Sequence, residues 1–265
     1  MASRTLRTSL VQGATRWHDP EANRDHYGSL IAPLAGQTDL VVLPETFTSG
    51  FSNEAIHNAE TMEGPTVAWL RERAIELDAA ITGSVQLRVG EGVFNRLLFV
   101  TPDGTVRHYD KRHLFRYADE HKRYAAGRER LIVEWKGWKI CPLVCYDLRF
   151  PVFSRNGHAA QTGFEYDLVL FVANWPAARA HAWRTLLRAR AIENLSYCLG
   201  VNRVGVDGNQ LPYSGDSAVL DYLGQTMVDL GAQEQTVTIA LDPDALAAFR
   251  EKFPAWMDAD AFDLR

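Results

Sequence analysis

Apolar runs of strand length alternate with amphipathic segments along the chain. Residues 40–43 (Leu-Val-Val-Leu) form one such run, and residues 66–78 then repeat apolar positions at helical spacing. The apolar face of that segment consists of Val67, Leu70, Ala74 and Leu77. The pattern predicts a strand followed by a helix, which is typical of alternating α/β proteins.

Strand-like runs continue through the rest of the chain. Besides a first run that reaches residues 10–11, they cover residues 81–89, 94–101, 106–109, 140–145, 167–173, 197–201, 218–220 and 237–241. The run 167–173 is almost continuously apolar, which is typical of a strand buried on both faces.

Two further helices are predicted in the second half of the chain. The first is marked by apolar residues at every fourth position, namely Trp183, Leu187, Ala191 and Leu195. Asp242, Pro243 and Asp244 predict the start of a last helix that reaches about residue 253. This order predicts helices layered on sheets, and in such folds ligands gather at the carboxyl ends of the strands.

Length, charge and cysteine content narrow the functional classes. The chain has 265 residues, with 28 Lys and Arg against 33 Asp and Glu, and a formal net charge of -5. This balance argues against a protein that coats nucleic acid or a membrane surface. Because no repeat, linker or long apolar stretch interrupts the sequence, we expect one soluble domain over residues 1–265. Cys141, Cys145 and Cys198 form no disulfide framework, so we expect a reducing compartment, the cytoplasm.

Three predicted strands are each followed by a residue with a reactive side chain. These residues are Glu45, Lys111 and Cys145. Singly, each has an ordinary explanation as a solvated cap, a surface cation or a small buried apolar residue. Together they favour thiol-dependent acyl transfer, because a thiol needs a base or a cation and the reaction needs a donor for its oxyanion.

The segments around these residues carry a family resemblance. Leu-Pro-Glu at 43–45, Tyr-Asp-Lys-Arg-His-Leu-Phe at 109–115 and Cys-Tyr-Asp-Leu-Arg-Phe-Pro at 145–151 resemble the three signature segments of the nitrilase superfamily of carbon–nitrogen hydrolases. The match keeps the family order over nearly the whole chain. It implies an α/β fold of the four-layer αββα sandwich type, in which the three reactive residues converge into one catalytic pocket.

The resemblance also implies roles for other residues. It implies a second catalytic glutamate at Glu120, which precedes Gly127 by seven positions as in relatives; a solvated charge is the alternative. The backbone N–H of Tyr146 would join Lys111 in binding the oxyanion. Members of the family commonly dimerise through a helical face, so we expect a homodimer.

Two longer segments are most similar to the omega-amidases of this superfamily. They are Cys-Tyr-Asp-Leu-Arg-Phe-Pro-Val-Phe at 145–153 and Phe-Val-Ala-Asn-Trp-Pro at 171–176. The resemblance implies an amidase that removes the distal amide of 2-oxoglutaramate or 2-oxosuccinamate through a thioester acyl-enzyme and releases ammonia. Another amidase or N-carbamoyl amidohydrolase of the superfamily is the first alternative, and a catalytically silent scaffold is the second.

A 2-oxo acid amide carries a carboxylate, which a protein of net charge -5 does not attract by its overall field. A local cation is needed, and Arg149 is the first candidate because a guanidinium binds a carboxylate through two parallel hydrogen bonds. Ion pairing of Arg149 with Asp147 or Glu193 is the alternative. The other residues predicted to contact the substrate are Tyr146, Phe150, Asn174 and Trp175.

Metal and nucleotide chemistry are not expected. His108, His113 and His121 are irregularly spaced and lack a companion carboxylate signature, which argues against a metal site. No glycine-rich phosphate loop of either common type occurs in the sequence. We therefore expect no cofactor, and a small amide as the substrate.

Overall fold

The computed structural model describes residues 4–260 and 262–263. Sixteen strands occur within these residues. They are β1 (Leu6–Gln12), β2 (Leu40–Val42), β3 (Ala80–Val89), β4 (Gly92–Val100), β5 (Val106–Asp110), β6 (Val133–Trp135), β7 (Trp138–Val144), β8 (His158–Ala159), β9 (Gly163–Phe164), β10 (Leu168–Ala173), β11 (Tyr197–Asn202), β12 (Val204–Val206), β13 (Pro212–Ser214), β14 (Ala218–Leu220), β15 (Thr226–Asp229) and β16 (Gln235–Leu241).

Twelve of these strands form two six-stranded mixed sheets. The first sheet has the order β16-β1-β2-β3-β4-β5, and three of its four inner strands, β1, β2 and β3, are parallel. The second has the order β15-β14-β11-β10-β7-β6, and β7, β10 and β11 are parallel. Parallel neighbours end at the same edge of a sheet, so each sheet brings several carboxyl ends together.

Five α-helices occur in the described part of the chain. They are α1 (Pro20–Ile31), α2 (Pro65–Leu77), α3 (Pro151–Ser154), α4 (Ala180–Asn194) and α5 (Pro243–Lys252). No helix in the described ranges is long and apolar enough to span a bilayer.

Alternate residues of the first sheet belong to two different cores. Leu10 of β1 lies in the core that also contains Leu143 of β7, between the sheets. The next residue, Val11, lies in a second core with Tyr27 of α1 and Leu70 of α2. The period-2 alternation of a strand thus buries both faces of the sheet, one against the other sheet and one against helices.

On the far side, α4 packs closely onto β11 of the second sheet. A Cβ added at Gly200 would meet side-chain atoms of Leu187 and Trp183 at 2.5 and 2.6 Å. Glycine is needed there because the helix approaches the strand backbone. The order of layers is therefore helix, sheet, sheet, helix, as the sequence predicts.

Helix α5 begins where the sequence predicts. The side chain of Asp242 accepts hydrogen bonds from the backbone N–H groups of Asp244 and Ala245, at 2.9 and 3.1 Å. Pro243 follows at the first helical position, where its missing N–H has no cost. One strand boundary differs from the prediction, because β7 ends at Val144 and leaves Cys145 in the turn that follows.

Candidate active site

The three reactive residues predicted from the sequence meet where the carboxyl ends of both sheets face each other. Glu45 lies three residues beyond β2 and Lys111 directly follows β5, both in the first sheet. Cys145 directly follows β7 in the second sheet. The two sheets therefore place these side chains on opposite sides of one cavity.

A buried cluster of one cation and two carboxylates forms the floor of this cavity. Lys111 Nζ donates to Glu45 Oε1 at 2.9 Å and to both carboxylate oxygens of Glu120, at 3.1 and 3.0 Å. All three side chains are at most 1% exposed. Glu120 thus joins the cluster on geometric grounds, and the alternative of a solvated charge is wrong.

Glu45 is held in place by two asparagines. Asn95 Nδ2 donates to Glu45 Oε1 at 2.8 Å, and the backbone N–H of Asn174 donates to Glu45 Oε2 at 2.7 Å. The Asn174 amide also donates to the Glu45 carbonyl oxygen at 2.6 Å. The carboxylate therefore keeps one orientation, with both oxygens hydrogen-bonded. Asn174 borders the cavity, but its N–H groups donate to Glu45 and Thr46 rather than into the cavity.

Cys145 sits in a strained turn that a buried carboxylate stabilises. Its φ is +43°, a left-handed value that L-residues adopt at a cost of about 1 kcal/mol or more. Asp147 Oδ2 accepts from the Val144 N–H at 3.0 Å and from the Tyr109 hydroxyl at 2.7 Å. Its Oδ1 accepts from the His113 N–H at 3.1 Å. These bonds fix the backbone on both sides of the thiol, since they tie the turn to the segment next to Lys111.

The charges of the cluster set the protonation of the thiol. Burial raises the pKa of Cys145 well above its usual range, and Glu45 raises it further, while Lys111 acts in the opposite direction. Burial alone would lower the pKa of Lys111, but the charges of Glu120 and Glu45 outweigh burial and raise it well above its usual range. At neutral pH the site therefore holds a neutral thiol and a lysine cation.

The thiol opens onto a cavity of about 490 Å³. Of the predicted site residues, those that line it are Glu45, Lys111, Cys145, Tyr146, Arg149, Asn174 and Trp175. Arg149 pairs with neither Asp147 nor Glu193; its guanidinium carbon lies 5.0 Å from the centroid of the Trp175 ring. Arg149 is exposed and lines the cavity.

Phe150 does not line the cavity, and its predicted contact with substrate is wrong. Its ring stacks on His113 with centroids 3.8 Å apart, and its edge meets Tyr146 at 5.1 Å. The chain turns at residues 145–149 as a 3₁₀ helix, so Phe150 lies behind Tyr146. Its contribution to the pocket is to support the Tyr146 ring.

Sequence reasoning missed two residues of the site. Asn95 lies within the largely apolar strand β4, which the sequence pattern predicts only as a strand. A polar residue inside such an apolar run indicates a buried polar contact, and this signal could have identified Asn95. Arg179 lines the cavity from the segment after β10, five residues beyond Asn174. Among the described residues, no group of three or more His, Cys, Asp or Glu side chains could hold a metal ion.

Comparisons with known proteins identify the family of the chain. The family model for carbon-nitrogen hydrolases matches residues 7–251. The chain is 49% identical over 259 residues to omega-amidase YafV of Yersinia enterocolitica, covering 97% of this chain and 98% of the relative. It is 33% identical over 253 residues to the 2-oxoglutaramate amidase of Bacillus subtilis (strain 168), covering 94% and 96%.

A solved structure gives the same result for the fold. XC1258 from Xanthomonas campestris, described as a CN-hydrolase superfamily protein with an arsenic adduct in the active site, superposes with a TM-score of 0.98. The two chains are 67% identical, and the match covers 99% of this chain and 100% of that one. The nitrilase-type αββα sandwich predicted from the sequence is confirmed.

The fold and the cluster define a class of enzyme that hydrolyses carbon–nitrogen bonds. The chain belongs to the carbon-nitrogen hydrolase family.

Proposed function

We propose that this enzyme is a cysteine-dependent omega-amidase that hydrolyses the distal amide of 2-oxo dicarboxylate monoamides such as 2-oxoglutaramate and 2-oxosuccinamate. The observation that carries the proposal is a thiol beside the Lys111–Glu45 pair, at the floor of a cavity whose mouth holds an exposed arginine. The relatives named omega-amidase and 2-oxoglutaramate amidase support this substrate class.

In the first half of the reaction, Cys145 Sγ attacks the amide carbonyl carbon while Glu45 takes the thiol proton. The negative charge that develops on the carbonyl oxygen is stabilised by Lys111 and by the backbone N–H of Tyr146. The C–N bond then breaks, and Glu45 gives its proton to the departing nitrogen, which leaves as ammonia. A thioester between Cys145 and the acyl group remains.

In the second half, water attacks the thioester and Glu45 takes a proton from it. Collapse of the oxyanion breaks the C–S bond, and the same proton returns to the sulfur. The products are the 2-oxo acid and the free enzyme. Glu120 does not reach the reacting atoms in this scheme; through its two hydrogen bonds to Lys111 it keeps that ammonium charged and in place.

A base is needed because the thiol is not ionised in the resting site. The raised pKa of Cys145 means that the proton must be removed during attack, and Glu45 contributes to that rise through its charge and a hydrogen bond. This arrangement differs from a cysteine next to an imidazolium, where the thiolate is present before substrate binds.

A panel of amides tests the proposed function directly. We expect 2-oxoglutaramate and 2-oxosuccinamate to have the highest kcat/KM. Glutamine and asparagine should be poorer because their α-ammonium brings a second charge, and neutral aliphatic amides and nitriles should be poorer still. A panel led by nitriles or by N-carbamoyl amines would contradict the omega-amidase assignment.

Replacing Arg149 by alanine should reduce activity selectively. We expect kcat/KM to fall about 10- to 100-fold more for 2-oxoglutaramate than for a neutral amide of equal length, since a charge-assisted pair contributes roughly 1.5–3 kcal/mol. Arg107→Ala, at an exposed position of β5 outside the cavity, controls for the change in net charge. Equal losses for charged and neutral amides would remove Arg149 from carboxylate binding.

We also propose that the enzyme is a homodimer, on the resemblance to its family. Light scattering should give a mass close to twice the 29.8 kDa of one chain. A monomer mass across a wide concentration range would contradict this state.

Our proposed location is the cytoplasm. All three cysteines are free, and Cys141 and Cys198 are completely buried. Such a chain is suited to a reducing compartment.

A further inference from the structure

A second arginine, Arg179, lines the active-site cavity and contacts two aromatic residues that also line it. Arg179 belongs to the segment between β10 and α4. Its guanidinium carbon lies 5.2 Å from the centroid of the Phe115 ring and 5.9 Å from that of Tyr117. Phe115 is fixed in turn, because its backbone N–H donates to Glu120 at 2.6 Å. Arg179 thus spans from one side of the cavity to the segment that carries Glu120.

The guanidinium of Arg179 has no hydrogen-bond or ion-pair partner among the described residues. Other arginines that are mostly buried have such partners: Arg96 donates to Asp110 at 2.7 and 2.8 Å, and Arg250 donates to Asp167 at 2.7 Å. Arg179 is half-buried, and its guanidinium lies over the rings of Phe115 and Tyr117. Ring faces orient a guanidinium without using its five N–H donors, which stay free for an anion.

The position of Arg179 in the chain is unfavourable for a cation. It is the N-cap of α4, where Ser, Thr, Asp or Asn is usual, and no side chain caps this helix start. The N-terminus of a helix carries partial positive charge, so a second positive charge there is destabilising unless an anion binds. A residue that breaks a local rule beside an active site is a sign of function.

Trp175 contacts both Arg179 and Arg149, the arginine already proposed to bind the substrate carboxylate. Its indole Nε1 donates to the Arg179 carbonyl oxygen at 2.9 Å, while its ring face carries Arg149. Both arginines therefore line the same cavity and both contact Trp175, Arg149 through its guanidinium and Arg179 through its backbone carbonyl. Neither guanidinium pairs with a carboxylate of the residues that the structure describes.

We infer that Arg179 binds the carboxylate of the substrate together with Arg149, and that this pair makes the enzyme selective for anionic amides. The inference rests on the proposed function, since it concerns the anionic end of the same substrate. Phe115 and Tyr117 hold the Arg179 guanidinium in position for that contact.

The test compares anionic and neutral ligands in the full-length enzyme. Arg179→Met keeps an apolar stem of similar length and removes the charge. We expect kcat/KM for 2-oxoglutaramate, divided by that for pentanamide, to fall at least tenfold. Inhibition of pentanamide hydrolysis by 2-oxoglutarate, the dicarboxylate product, should weaken by a similar factor. Arg179→Lys should recover only part of both, because an ammonium cannot form two parallel hydrogen bonds.

Arg116→Met is the matched control. Arg116 is exposed, lies beside Tyr117 in the sequence, and does not line the cavity, so it causes the same change in net charge without the contact. An unchanged ratio and inhibition in Arg179→Met, or an equal effect in Arg116→Met, would overturn the inference. Parallel losses for both amides would also overturn it, since they would indicate a structural role. Failure of the proposed function is a different result: the wild-type enzyme would not prefer 2-oxoglutaramate.

Discussion

Cys145→Ala should remove turnover of every amide, with a loss in kcat on the order of 10⁶-fold, as is typical when the nucleophile of a covalent hydrolase is deleted. The variant should fold, because alanine at the left-handed φ of +43° is no more strained than cysteine. Circular dichroism and steady-state assays on the same preparation check both statements. Full activity in this variant would remove Cys145 from the mechanism.

The other two cysteines provide matched controls. Cys141 and Cys198 are fully buried in the hydrophobic core, and neither lines the active-site cavity. Cys141→Ala and Cys198→Ala should each cost about 1 kcal/mol of stability and keep most of the activity. In the wild-type enzyme, iodoacetamide should modify Cys145 first, because Cys145 opens onto the active-site cavity whereas the thiols of Cys141 and Cys198 are completely buried.

Glu45→Gln should lower kcat by about 10²–10⁴-fold, the range that a general base contributes. Glutamine keeps the size of the side chain and can still accept the hydrogen bonds from Asn95 or Lys111, but it cannot take the thiol proton. Steady-state assays with 2-oxoglutaramate measure the effect. Activity within a few fold of wild type would contradict the role of Glu45 as base.

The same variant should lose turnover and yet have a thiol that ionises at lower pH. In the wild-type enzyme Glu45 raises the pKa of Cys145 and Lys111 lowers it. Removing the Glu45 charge leaves the effect of Lys111, so the pKa of the thiol falls and the thiolate forms at lower pH. The pH profile of iodoacetamide labelling at Cys145 should therefore move to lower pH in Glu45→Gln. A shift to higher pH, or the loss of labelling, would contradict the charge arrangement.

Much of the fold could be predicted from hydrophobic periodicity. The face of Val67, Leu70 and Ala74 lies buried in α2, and the predicted run 167–173 becomes the fully buried strand β10 from Leu168 onward, with the half-buried Asp167 just before it. Helix α1 could not be predicted in this way, because Asn23 lies on its buried face and interrupts the apolar pattern. Asn23 is buried because it donates to the carbonyl oxygens of Arg16 and Thr48, a tertiary contact that sequence spacing does not contain.

In the site too, residues within sequence motifs could be predicted, and residues placed by tertiary contacts could not. Glu45, Lys111 and Cys145 stand directly in signature segments after strands, so their presence in one site was predictable. Asn95 contacts Glu45 from another strand of the same sheet, and Arg179 contacts Phe115, which is far from it in the sequence. Both contacts depend on the tertiary fold, and no motif records them.

Phe150 was predicted to contact the substrate, but it does not line the cavity. It lies within the signature segment 145–151, which made it a candidate for the substrate pocket. Because the segment turns as a 3₁₀ helix, side chains only a few positions apart face different surroundings, and Phe150 packs on His113 instead. Proximity to a nucleophile in sequence therefore does not place a side chain in its cavity.

The central claim is that Cys145 carries the acyl group of a 2-oxo acid amide during turnover. Intact-mass spectrometry of enzyme quenched in acid during the hydrolysis of 2-oxoglutaramate tests it most directly. We expect a species heavier than the free enzyme by the mass of the substrate less ammonia, located by peptide mapping at Cys145 and absent from Cys145→Ala. Turnover at full rate with no such adduct under any quench condition, or an adduct at another residue, would contradict the account.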